Sequence, residues 1–154
     1  MRLLIQYIIL KKEIPTLNRD VFSLQKDLVY MYSDPAVQEY RDAFMYDHIY
    51  NSAFRNNITF YSYNDHGIII KVNKIPGQDS SGIIADLEVI FSQFVLSAID
   101  RFHDKYGSYV CRDIYTPGTV HYQSLGELAF NCCHILDITP PNSNEFVISL
   151  KYFN

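Results

Sequence analysis

Apolar positions along the chain alternate between a two-residue and a helical period, and the changes mark out its elements. Leu3 to Leu10 is nearly continuous apolar sequence rich in Ile, which predicts a strand covered on both faces. Glu13-Ile14-Pro15 ends it, and Asn18 is placed to cap a helix reaching about Tyr32, with Val21, Leu24, Leu28 and Met31 on one face. Ser33-Asp34-Pro35 then breaks the chain and restarts it. Asp34 is a natural N-cap, and Pro35 suits the first helical position, where a missing N–H costs nothing. Val37, Tyr40, Phe44 and Met45 carry this second helix to about Phe54, and Asn56-Asn57 stops it.

Ile58 to Tyr63 and Ile68 to Lys74 read as two strands. Between them stands Asn64-Asp65-His66-Gly67, whose Asn, Asp and Gly suit the positive φ of a tight hairpin turn. Pro76-Gly77 closes the second strand. Ile84, Leu87, Phe91, Phe94, Ala98 and Phe102 fall at helical spacing, so a long helix is predicted over about 82–106. Asp79, Ser80 or Ser81 would cap it and Gly107 would end it. Tyr109 to Tyr115 and Thr119 to Tyr122 read as short strands about Thr116-Pro117-Gly118. Leu128 to Ile138 and Phe146 to Phe153 read as strands joined by Thr139 to Asn144. In the last of them Ile148, Leu150 and Tyr152 alternate with Val147, Ser149 and Lys151, which predicts one apolar face. Its only charge is Lys151, so it is expected either inside its own sheet or as an edge covered by another chain.

The order strand, helices, hairpin, long helix, strands implies one α+β domain over residues 1–154. Two layers are expected, a mostly antiparallel sheet with helices on one face. A ferredoxin-like βαββαβ winding with extra C-terminal strands is one arrangement that satisfies it.

Composition narrows the function classes. The formal net charge is −4 and the densest basic run is Lys11-Lys12, too little for a nucleic-acid face or for adhesion to an anionic membrane. The apolar start from Met1 is interrupted by Gln6 and Tyr7 and lacks a small-residue cleavage site, so a buried strand is expected there rather than a leader peptide. Three cysteines, two of them adjacent, do not make a disulfide framework, which suits a reducing setting such as the cytoplasm or a virion. Thirteen Tyr and ten Phe with no Trp follow either from an AT-rich coding sequence or from a contact surface, and with only 19% charged residues they suit a surface covered by other protein.

Residues with possible chemistry are few. Cys132-Cys133-His134 with Cys111 and His121 offers thiols and imidazoles. Adjacent cysteines on a strand point to opposite faces, and no paired knuckle spacing is present, so no metal site is expected. A Cys/His nucleophile built from Cys111 or Cys132 with His121 or His134 depends on whether they meet in space. Asp100 and Asp104 share a helix face beside Arg101 and Lys105, and Asp86 and Glu88 do not share one. His48 reads as a packing residue among aromatics and His66 as a loop-tip residue. Gly77 and Gly82 form no phosphate loop, and no nucleotide motif occurs. No catalytic, cofactor-binding or metal residue is therefore assigned, and no cofactor.

The reading this favours is a non-enzymatic structural or assembly protein, such as a small virion subunit of a tail-completion or neck ring, working through a protein partner or as a homo-oligomer. An acidic inhibitor or immunity-type binding protein is the alternative, and a small Cys/His hydrolase the third.

Overall fold

The structure, a computed structural model, describes residues 28–106 and 133–152. The strands expected at Leu3–Leu10, Tyr109–Tyr115 and Thr119–Tyr122, the start of the helix from Asn18, and Cys111, His121 and Cys132 lie outside the described residues.

Residues 28–32 are helical and bury Leu28 and Met31, as the apolar face predicts. After the break, α1 runs Pro35–Tyr50, with the Asp34 carboxylate accepting from the Ala36 N–H at 2.8 Å. The same carboxylate pairs with Lys105. The helix stops at Tyr50, short of Phe54. Asn51 caps it, the Ser52 hydroxyl bonds the Ile49 carbonyl, and a 3₁₀ turn at Arg55–Asn57 leads into the sheet.

β1 (Ile58–Asn64) and β2 (Gly67–Asn73) form the predicted hairpin. Its turn is not of the positive-φ kind, since among the described residues only Asn142 and Gly77 have positive φ. Instead the Asn64 side chain accepts from the His66 and Gly67 N–H groups at 2.8 and 3.0 Å, an Asx-type closure that leaves Asp65 and His66 in ordinary conformations. Gly67 is needed for space rather than for φ: a Cβ there would stand 2.2 Å from the Leu150 carbonyl oxygen.

The long helix α2 is Ser80–Arg101, with Asp79 as its cap through the Ser81 N–H. It breaks at Phe102 and resumes as the four-residue α3 (His103–Tyr106). By length and composition α2 could cross a membrane; here it is the central helix of the fold. Beyond the predicted stripe it also buries Ile83, Ile90, Val95, Leu96 and Ile99, so most of its circumference is enclosed.

Among the described residues, β3 (His134–Asp137) and β4 (Glu145–Lys151) complete a four-stranded, wholly antiparallel sheet in the order β1-β2-β4-β3. The fold is thus α+β, a helical layer on an antiparallel sheet. A split βαβ winding would set the chain's first strand beside β2, and that side of β2 holds β4. Ile68, Ile70, Val72, Ile148, Leu150 and Tyr152 face the helices and are buried. β4 lies inside the sheet, the first of the two positions expected for it. Its apolar face is buried as the alternation predicts, and Val147 and Ser149 on the other face are buried as well.

Candidate interaction surface

The residues singled out for chemistry do not converge. Cys133 is buried, while His134, next in the chain, is exposed on β3. Among the described residues no three His, Cys, Asp or Glu side chains gather in a metal-binding group. His48 is half-buried, with Nδ1 2.9 Å from the Phe44 carbonyl and its ring stacked on Phe44 at 3.9 Å. That is the packing role its neighbours suggest. His66 is exposed at the hairpin tip, and its carbonyl accepts from the Tyr152 N–H at 3.0 Å, tying the end of β4 to the turn. Asp100 and Asp104 are exposed, and Asp86 and Glu88 half-buried.

Periodicity gave no sign of Arg41, which is only 1% exposed inside α1. A guanidinium survives burial when its donors are met and its charge is compensated. Here it donates to the Tyr32 hydroxyl and, through Nε and Nη2, to the Asp42 carboxylate. Its flat face lies 4.2 Å from the centre of the Tyr152 ring and 5.3 Å from that of Tyr32. Burial pushes the Tyr32 and Tyr152 hydroxyls well above the ordinary phenol range, against the pull of Arg41. Among the described residues the Tyr152 hydroxyl has no hydrogen-bond partner. This node joins the end of the first helix, α1 and the end of β4, and it closes Arg41 off from solvent while Asp42 stays at its edge. Its arrangement suits holding elements together rather than binding.

The aromatic surface lies on the other side of α1. Tyr46 and Tyr50, one turn apart, touch at 4.7 Å between ring centres, and both reach Tyr61 on β1, at 5.9 and 5.8 Å. Tyr61 touches Tyr63 at 5.9 Å. Tyr46, Tyr50 and Tyr63 are 49%, 38% and 50% exposed, so three of the four rings present up to half their surface to solvent. Tyr61 is half-buried beneath them, and that burial, with Asp42 nearby, raises its hydroxyl pKa. The spacing that makes this patch is i, i+4 on the helix and i, i+2 on the strand. It was legible in the sequence only as an excess of tyrosine.

β1 borders the patch and ends the described sheet. It pairs with β2 on one side, and among the described strands nothing pairs with its other side. Its sequence, Ile-Thr-Phe-Tyr-Ser-Tyr-Asn, has no charge and no proline. The register shifts between Ile58 and Phe60, and the Thr59 hydroxyl reaches Glu145 at 2.6 Å. Phe60–Asn64 then pairs regularly. The face of the sheet away from the helices shows Phe60, Ile69, Leu136 and Ile138, and a shallow cleft of about 120 Å³ opens where Gly67 has no side chain, beside Ser62, Asn64, His66 and Lys151. No known protein family, curated protein or solved structure matches the chain.

Proposed function

We propose that the chain is a non-enzymatic assembly protein that works through protein contact. The observation that carries this reading is the run of exposed rings from Tyr46 and Tyr50 across Tyr61 to Tyr63, continuous with a strand that carries no charge. Tyrosine supplies large contact area at small cost in side-chain entropy, and its hydroxyl stays usable at a wet rim, so it is enriched where proteins meet. Arg41 is consumed by its buried node, and Asp79 and Asp34 cap helices.

The test is isolation from the native source under gentle conditions. Wild type is expected in a complex well above its own 18.0 kDa. The double variant Tyr46→Ala, Tyr50→Ala is expected to leave that complex with its thermal midpoint little changed, since both side chains are exposed. Recovery of wild type only as a free single chain, at native abundance, defeats the reading.

A further inference from the structure

We propose that β1 pairs with β1 of a second copy of the chain, antiparallel and about a two-fold axis at Ser62, to make one continuous sheet across the two copies. This rests on the assembly reading and names the partner of its aromatic surface.

The two terminal strands of the described sheet are built differently. β3 is four residues long and ends on Asp137, whose carboxylate is held by the Thr139 N–H at 2.9 Å. Shortness and charge are the usual protections of a solitary edge. β1 has seven residues, none charged, and its only protection is the irregularity at Thr59. The regular stretch after it, Phe60–Asn64, has Ser62 at its middle.

That midpoint fixes the register. Residues opposite one another in an antiparallel pair point to the same face, so a two-fold axis normal to the sheet must pass through a residue rather than between two. An axis at Ser62 sets Tyr61 opposite Tyr63 of the second copy and Tyr63 opposite its Tyr61, with Phe60 opposite Asn64 on the other face. Aromatic cross-strand pairs are among the stabilising ones, and no like charges meet. Tyr46 and Tyr50, already packed on Tyr61, extend the contact on the helical side.

Phe60 is 47% exposed, much as the three outer tyrosines are. A fully buried aromatic side chain covers roughly 150–250 Å², so these four rings offer about 400 Å² per copy. A standard interface has about 800 Å² a side, so main-chain pairing must supply much of the rest and the dimer belongs to the weak class.

The experiment is sedimentation equilibrium of the purified full chain from about 1 µM to about 1 mM, a span that covers weak dimers. Wild type is expected to dimerise. Ser62→Lys places two ammonium groups face to face across the axis and is expected to weaken the dimer at least tenfold. Tyr63→Lys, at a half-exposed position, is expected to do the same and serves should Ser62→Lys fail to fold. Leu136→Lys, on the other terminal strand, should leave the dimer intact. A wild-type monomer throughout the range overturns the pairing, and so does a dimer indifferent to both β1 variants or one lost in Leu136→Lys. A chain that is monomeric alone but held in a large native complex overturns this pairing while leaving the assembly reading in place.

Discussion

Two tyrosines that flank one arginine should respond in opposite ways to the same change. Tyr32 accepts a hydrogen bond from the buried Arg41 guanidinium, so Tyr32→Phe removes a partner from a charge. Hydrogen bonds to charged groups contribute about 1.5–3 kcal/mol, and urea denaturation should show a loss in that range. The Tyr152 hydroxyl is buried and bonds nothing among the described residues, so Tyr152→Phe deletes an unmet polar group and keeps the ring against Arg41 and Phe91. Its stability should be unchanged or higher by up to about 1 kcal/mol. A clear loss in Tyr152→Phe, or none in Tyr32→Phe, contradicts this account of the node. Phe94 marks the apolar side of the same core. It is fully buried and touches Tyr32, Tyr40, Phe44 and Phe91, and Phe94→Ala should cost about 3–5 kcal/mol in the same assay. The sequence pointed to Phe94 and passed over Arg41. Helical spacing of apolar residues reports a core directly, whereas a buried charge depends on partners up to about a hundred residues away, such as Tyr152.

Among the elements, those made of local signals were legible. The Asp34-Pro35 restart, the hairpin and the Asp79-capped helix follow from caps, turns and periodicity within a few residues. The position of β4 inside the sheet did not follow, because its neighbours β2 and β3 are set by pairing that no local pattern encodes. For the same reason the aromatic surface could not be read: Tyr46 and Tyr61 meet only once α1 has packed over β1. The start of α2 gives a pH prediction. The Asp79 carboxyl sits below its ordinary pKa because the Ser81 hydroxyl and N–H bond its charged form. Asp137 is lowered likewise, first by the Ser80 hydroxyl and then by Thr139. A carboxyl whose folded pKa is depressed contributes stability that is present above the unfolded value, about 3.9, and fades as pH falls through the folded one. The thermal midpoint should therefore drop on acidification below about pH 4. In Asp79→Asn, which keeps an acceptor at the cap, that part of the drop should shrink while the midpoint near pH 7 changes little. An acid limb equally steep in the variant removes this cap from the explanation.

For the whole molecule, self-association and folding are linked. A helical layer on an antiparallel sheet leaves the ends of the sheet as the places where main-chain groups are open to another chain, and of the two described ends β1 is the less defended. If a second copy binds only the folded chain, it stabilises that fold by mass action, by about 2.7 kcal/mol when the chain stands at 100 times its dissociation constant. For a domain of this length each kilocalorie moves the midpoint by roughly 2–4 °C. The wild-type midpoint should therefore climb by several degrees across a hundredfold rise in concentration, measured by scanning calorimetry. Tyr63→Lys should hold a flat midpoint over that range, and the two chains should converge at the lowest concentrations, because an exposed ring contributes little to the single chain. A flat wild-type curve would mean that association, if any, does not favour the folded state. A Tyr63→Lys midpoint that stays below wild type at every concentration would show that Tyr63 acts within the single chain instead, supporting Tyr61 and the edge of the core rather than a second copy.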